Sequence, residues 1–218
     1  NEALYNVSSL GFVPTMGSLH KGHISLIKRS LKECKKTIVS IFVNPTQFNN
    51  KNDYKNYPRN NRNDFSILKK LKVNFLYMPK KNDVYYFKRK SLIKLKKKDK
   101  ILCAKYRKGH FEGVIDVMDR LTKLIKPKKI YMGEKDFQQL YLVKKYIKKK
   151  PKTKIISCKT IRDTNKLAFS SRNKLLKKSE LKMARKISNE LFLLKRKLIN
   201  NKNSKKLISE KKNQLTYF

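Results

Sequence analysis

Only three histidines occur in the 218-residue chain. Two of them, His20 and His23, stand three residues apart in the turn Pro14-Thr15-Met16-Gly17-Ser18-Leu19-His20-Lys21-Gly22-His23. Residues at that spacing can share one face of a helical turn, so both rings can serve one ligand. As hydrogen-bond donors they could stabilise the negative charge that develops on a phosphate when its α-phosphorus is attacked. Gly17 and Gly22 let the backbone approach such a ligand closely. A helix opening there adds free N–H groups and the positive end of its dipole. The plainer alternative is a pair of structural histidines capping the turn. A two-histidine zinc site is disfavoured, because no third ligand is apparent.

Three further stretches carry comparable residue types. Asn44-Pro45-Thr46-Gln47-Phe48 places two amides where they can donate to and accept from hydroxyl and carboxylate groups without bringing charge. In Gly133-Glu134-Lys135-Asp136-Phe137-Gln138-Gln139, Lys135 is a point charge suited to phosphate and Asp136 could accept from a ribose hydroxyl. Gln139 follows one turn into the next helix. Phe169-Ser170-Ser171-Arg172-Asn173 offers two hydroxyls and a guanidinium, a common grip on polyphosphate. Each stretch read alone is also compatible with a solvated turn. Their recurrence at successive strand ends points to one ligand site.

The elements that must position these turns alternate along the chain. Leu10–Thr15 reads as a short strand, and Ile24–Lys36 as a helix with Ile24, Ile27 and Leu31 on one face. Thr37–Asn44 is nearly continuously apolar, as a strand covered on both faces should be. Asn49–Asn63 reads as a long polar loop, after which Asp64 is expected to cap a short helix with Phe65, Leu68 and Leu71 inward. Asn74–Met78 is a further strand, and residues 80–110 a loop or short β excursion. Helices are expected over Phe111–Ile125 and Phe137–Lys149, with strands at Lys129–Met132 and Lys154–Cys158. From about Ser179 the pattern is Lys-rich helix. Alternating strands and helices imply an α/β fold, a Rossmann-like parallel sheet with helices on both faces. In such sheets ligands bind beyond the carboxyl ends of the strands, where the turns above fall. The expected division is a catalytic domain over residues 1–175 and a reduced, mainly helical C-terminal segment over 176–218.

Composition narrows the class of protein. No apolar run approaches the roughly 20 residues needed to cross a bilayer. Residues 1–9 lack a basic stretch followed by an apolar one, so the expected compartment is the cytoplasm. Lys and Arg total 57 against 15 acidic residues, a net charge of +42, which would attract polyanions. Only 10 of the 57 are Arg, while Asn is abundant at 19 and Ala scarce at 4. Lys, Asn, Ile, Tyr and Phe have AT-rich codons, so mutational bias could produce the charge without selection for polyanions, and the charge alone does not decide between that and nucleic-acid binding. Cys34, Cys103 and Cys158 follow no metal spacing and read as small, partly buried residues of a reducing compartment.

The motifs together carry a resemblance. His20-Lys21-Gly22-His23 fits the HxGH signature of the nucleotidyltransferase superfamily. Adding SIFVNPTQF, Tyr57-Pro58-Arg59, Gly109–Val114 (GHFEGV), GEKDFQQL and LAFSSRN, the chain from about Gly11 to Leu176 resembles the pantothenate synthetases (pantoate–β-alanine ligases), with all motifs in the family's order. The resemblance implies attack of the pantoate carboxylate on the α-phosphorus of ATP, then attack of the β-alanine amine on the pantoyl adenylate. It implies that Met16, Gly17, Ser18, Leu19, His20, Lys21, Gly22 and His23 line the ATP site, with His23 the proton-donating catalytic residue and His20 on the phosphates. Gly133, Glu134, Lys135, Asp136, Ile161, Phe169, Ser170, Ser171 and Arg172 would complete the nucleotide site, Lys135 and Arg172 assisting catalysis. Asn44, Gln47 and Gln139 would bind pantoate, with Gln47 also near β-alanine. Asp64 aligns with an acidic position near the metal, so Mg²⁺ is expected with ATP. A homodimer is also implied, with no specific nucleic-acid partner and no membrane association.

Some positions depart from the family's pattern. Lys166 and Phe169 stand where GLAMSSRN has Gly and Met, the usual MYP is Val84-Tyr85-Tyr86, and Lys108 replaces the proline of RPGHF. The segment after the last motif is short. Lid-like elements exclude water from reactive adenylates, so its reduction is expected to bear on rate and on leakage rather than on the chemistry.

Overall fold

A computed structural model describes residues 9–86, 93–147, 153–200 and 208–209. The chain divides into two compact units, residues 1–160 and 161–218.

In the first unit five parallel strands form one sheet: β1 (Leu10–Thr15), β2 (Lys36–Ile41), β3 (Phe75–Tyr77), β4 (Lys129–Gly133) and β5 (Lys154–Cys158), in the order β3-β2-β1-β4-β5. The chain runs outward from β1 to β3 and then returns to lay β4 on the other side of β1. The direction of winding therefore reverses between β1 and β4, and their carboxyl ends leave a crevice there.

Strand alternation gives the sheet two buried faces. Phe12, Ile38 and Ile130 belong to one core, and their neighbours Val13, Val39 and Tyr131 to the other. Successive strand side chains point to opposite faces, which explains why these strands read as continuous apolar runs. Helix α1 (Lys21–Glu33) contributes Leu26 and Ile27 to the second core. The helix α3 (Asn61–Lys70) adds Leu68, and a short helix α2 (Lys51–Lys55) lies between them in sequence. On the opposite face lie α6 (His110–Ile125) and α7 (Phe137–Ile147), after two single-turn helices, α4 (Lys81–Val84) and α5 (Cys103–Tyr106). In α6, Phe111, Val114, Ile115, Met118, Leu121 and Ile125 are all buried, the stripe that a 3.6-residue period produces.

Several sequence expectations change. The polar stretch after residue 48 is not a plain loop, because α2 forms within it, capped by the Asn50 side chain accepting from the Asn52 amide at 2.7 Å. Asp64 does not cap α3; Asn60 does, accepting from the Asn63 amide at 3.1 Å, and Asp64 lies in the first turn, wholly buried. Phe65 is 52% exposed, because Leu68 with Ile67 and Leu71 supplies the inward face. Helical turns and loop, rather than strand, fill the described part of residues 80–110. Cys34 and Cys158 are buried, whereas Cys103 is exposed. The last two residues of the helix expected over Phe137–Lys149, 148 and 149, lie outside the described residues.

The second unit begins with a tight excursion, residues 161–169, closed by an antiparallel bridge between Arg162 and Ala168. A 3₁₀ turn follows over Ser171–Leu175, then the long helix α8 (Lys178–Asn200). Among the described residues no helix is long and apolar enough to cross a membrane.

Candidate active site

The first functional turn leaves β1 at a buried threonine. Thr15 Oγ1 donates to the Ser40 carbonyl at 2.7 Å and accepts from the Gly17 amide at 3.2 Å. Gly17 and Ser18 then both take left-handed backbone angles, φ +79° and +50°. The Ser18 and Leu19 amides each donate to one oxygen of Asp64 at 2.7 Å, and the Leu19 side chain is buried.

His20 is the N-cap of α1, its Nδ1 accepting from the Gly22 amide at 3.1 Å. An accepting Nδ1 puts the ring proton of neutral imidazole on Nε2, so the other edge of His20 is a donor. His23 stacks on it, with ring centroids 4.0 Å apart and planes inclined by 28°. Burial, aided by His20 and Lys135, lowers the His23 pKa to about 3. His23 is therefore a neutral ring at neutral pH. Its Nδ1 is buried without a hydrogen-bond partner.

Lys135 stands on the single 3₁₀ turn Glu134–Asp136 that follows β4, paired with Asp136 at 3.0 Å. β4 pairs directly with β1, so the turns that leave the two strands open on the same edge of the sheet, and Lys135 adds to the lowering of the His23 pKa. The opposite ends of the same elements are tied by Glu33, which closes α1. Its carboxylate accepts from Arg29 (2.7 Å), Lys129 (3.2 Å) and Tyr131 (3.0 Å), and the Arg29 guanidinium holds its pKa down to about 2. Gly133 ends β4, and Glu134, Lys135 and Asp136 form the exposed turn that follows it.

The Asn44–Gln47 turn follows β2. Gln47 Nε2 lies 2.8 Å from the Met16 sulfur, which sets this turn against the first. Asn44 is fully buried and heavily engaged. Its Nδ2 reaches Gln47 Oε1 and the Gly113 carbonyl, both at 3.4 Å. Its Oδ1 accepts from the Thr46 amide (3.3 Å), the Thr46 hydroxyl (3.1 Å) and the Tyr85 hydroxyl (3.0 Å). Asn44 therefore shapes the turn, and the half-buried Gln47 is the amide nearer solvent. Gln139 is half-buried on α7, whereas its neighbour Gln138 is held by donating to the Ile101 carbonyl at 2.7 Å.

Sequence reasoning assigned no role to the residues that brace this turn. His110 Nδ1 contacts the Gln47 carbonyl oxygen at 2.5 Å. Gly113 lets α6 approach so closely that a Cβ there would overlap the Thr46 carbonyl. Tyr85 is covered by the Arg120 guanidinium, 4.6 Å from its ring centroid, and Arg120 is paired with Asp116 at 3.0 Å. Burial pushes the Tyr85 phenol pKa up, so its hydroxyl stays a donor. The signals were present, since His110 and Gly113 lie in the GHFEGV stretch, but their targets are more than sixty residues away in sequence.

Ile161, Phe169, Ser170, Ser171 and Arg172 belong to the second unit. There the Phe169 amide donates to the Ile161 carbonyl at 3.1 Å. Ser170 caps the following turn, its hydroxyl accepting from the Arg172 amide at 3.3 Å. Lys166, at the position where the resemblance expects glycine, adopts φ +63°. Its carbonyl is held by Arg162 Nη1 at 2.8 Å and Ser188 Oγ at 2.7 Å.

A metal at Asp64 does not fit these residues. Asp64 has no exposed surface and both its oxygens are taken by backbone amides. Among the described residues no cluster of three or more His, Cys, Asp or Glu could hold a metal.

Two imidazole rings, a helix N-terminus and the lysine of the neighbouring turn lie at the carboxyl ends of β1 and β4, an arrangement suited to an anionic phosphate chain. The adjacent amide-lined turn suits a small polar co-substrate. Comparison with known proteins agrees with this reading. A family model described as pantoate-beta-alanine ligase matches residues 2–218. A pantothenate synthetase of Francisella tularensis subsp. novicida is 46% identical over 189 residues, 85% of this chain and 72% of the relative. A crystal structure of pantoate-beta-alanine ligase from Francisella tularensis, complexed with beta-gamma ATP and beta-alanine, superposes with a TM-score of 0.79 at 46% identity, covering 83% of this chain and 70% of that one. The pantothenate synthetase structure from Thermus thermophilus gives 0.84 at 33% identity, covering 88% and 71%. Fold, site turns and relatives agree, and the chain belongs to the pantoate-beta-alanine ligase family.

Proposed function

We propose that the protein condenses pantoate with β-alanine at the expense of ATP, through a pantoyl adenylate, releasing pyrophosphate and AMP. The observation that carries this reading is the stacked His20–His23 pair at the end of β1, set beside the Asn44–Gln47 turn, with Lys135 on the turn after the neighbouring strand β4.

The triphosphate lies in that crevice. His20 donates from Nε2 to a phosphate oxygen, and Lys135 supplies a positive charge as the pantoate carboxylate attacks the α-phosphorus and pyrophosphate departs. His23, neutral and partly desolvated, acts as a hydrogen-bond donor that strengthens as phosphate charge grows. Gln47 and Gln139 hold pantoate in line, and Gln47 also lies near the incoming β-alanine amine. No covalent enzyme intermediate is needed; catalysis rests on positioning and charge stabilisation. Asp136 takes the ribose. In this reading Ile161, Phe169, Ser170, Ser171 and Arg172 are nucleotide-binding residues, as the family resemblance implies. Mg²⁺ enters this proposal only as an ion carried by ATP, with no protein ligand assigned. A cytoplasmic homodimer is part of the same reading.

AMP release from ATP and Mg²⁺ with pantoate, with and without β-alanine, tests it when pantothenate is followed in the same samples. Equal amounts of AMP and pantothenate, formed only with both substrates, are expected. AMP from pantoate alone would show an adenylation site that leaks its intermediate to water. No AMP under any condition would overturn the proposal.

A further inference from the structure

We propose that Asp64 is a positioning residue: its carboxylate clamps the Ser18 and Leu19 amides and so holds the turn that presents His20 and His23 to the nucleotide. The inference rests on the proposed function for its catalytic consequence, though not for the clamp itself.

The turn needs such a clamp. Two consecutive residues, Gly17 and Ser18, have left-handed backbone angles. Glycine adopts that region freely, but serine does so only where surrounding contacts over-determine it. Left-handed residues in succession aim neighbouring amides to one side, and buried amides need acceptors. Here the acceptors are the two oxygens of one carboxylate, each at 2.7 Å. The charge-assisted form of these bonds is stronger than bonding to a neutral carbonyl.

The carboxylate comes from 45 residues further along, so it is a tertiary tie. α3 carries Asp64 in its first turn, held by the Asn60 cap. Leu68, one turn on, anchors the helix in the core shared with Leu19, Leu26 and Ile27. The fit is close on the other side as well: a Cβ on Gly17 would come within 3.0 Å of both Asp64 Oδ2 and Ile41 Cγ2. One residue beyond the clamp, His20 starts α1 and accepts from Gly22. A shift of the clamped amides would therefore pass directly to both rings. A magnesium ion, by contrast, binds oxygens that can leave the protein scaffold for it and usually keeps several waters. A carboxylate with no exposed surface and both oxygens engaged offers neither condition.

The test compares the wild-type protein with Asp64→Asn, which keeps the shape but sets a side-chain N–H against one of the two amides. Without nucleotide or Mg²⁺, hydrogen exchange at Ser18 and Leu19 is expected to quicken tenfold or more, with the β1 amides unchanged. In the coupled assay kcat/KM for ATP should fall about tenfold to a hundredfold. The KM for β-alanine and the Mg²⁺ concentration giving half-maximal rate should stay within twofold. Unaltered exchange at the two amides, or a tenfold rise in the Mg²⁺ requirement, would overturn the proposal. If the variant does not fold, the wild-type protein decides alone: Ser18 and Leu19 must exchange at least a hundredfold more slowly than unstructured amides, and unprotected amides would refute the clamp. An inactive wild-type enzyme would refute the proposed function and leave the exchange result to judge the clamp.

Discussion

Acidification is expected to destabilise the protein through His23 in a way that can be isolated. Burial, aided by His20 and Lys135, lowers its pKa to about 3 from an ordinary 6.5. The unfolded chain therefore binds a proton below pH 6.5 that the folded protein refuses. The contribution of the neutral ring is intact above that pH and is lost progressively as pH falls toward 3. One pKa unit corresponds to about 1.4 kcal/mol. From pH 7 to pH 5 the unfolded ring becomes almost fully protonated while the folded ring stays largely neutral, so linkage gives a loss of about 2 kcal/mol. Other groups also titrate in this range, and the useful quantity is a difference of differences. Denaturant unfolding of wild-type protein and His23→Gln at pH 7 and pH 5 should show an acid-induced loss about 2 kcal/mol smaller in the variant. A difference below about 0.5 kcal/mol would refute the reasoning, because the ring would then be protonated in the folded state. Bound tripolyphosphate should place negative charge near the ring and raise the His23 pKa. Its binding near pH 5 should therefore take up protons, measurable by calorimetry in buffers of different ionisation heat.

Three further outcomes follow from the braces around the site. Gly113→Ala should displace the Thr46 carbonyl and the turn that carries Gln47; overpacking of this kind costs about 1–3 kcal/mol, and the pantoate saturation curve should shift about tenfold to higher concentration. Tyr85→Phe removes the hydroxyl that donates to Asn44 Oδ1. One such bond is worth about 1 kcal/mol, so kcat/KM for pantoate should fall about fivefold, and an unchanged value would show that the Thr46 contacts alone hold Asn44. Lys166→Gly relieves a left-handed non-glycine residue. After the added unfolded-state entropy of glycine, it should raise stability by about 0.5–1 kcal/mol in denaturant unfolding.

Much of the site could be read from local sequence because its parts are turns at strand ends. His20, His23, Lys135 and Asp136 lie in short stretches whose residue types state their chemistry, and alternating strands and helices place such stretches at one edge of a sheet. Asp64 is the counter-example. In sequence it is an acidic residue ahead of an apolar run, which reads equally well as a helix cap or a metal neighbour. Asn60 supplies the cap because its side chain reaches the Asn63 amide, and the burial of Leu68 rather than Phe65 turns Asp64 inward.

By itself, the sequence determined the alternation of the main strands and helices, the parallel sheet and the placing of the candidate turns at strand ends. These follow from periodicity and residue type, which act over a few neighbouring residues. Only the tertiary structure decided that His23 is neutral, that Asn44 is a brace, and that Asp64, His110, Gly113 and Tyr85 hold the turns in shape. Each of those depends on the burial of a group or on a contact between residues far apart in the chain, and neither exists until the sheet has brought its helices together.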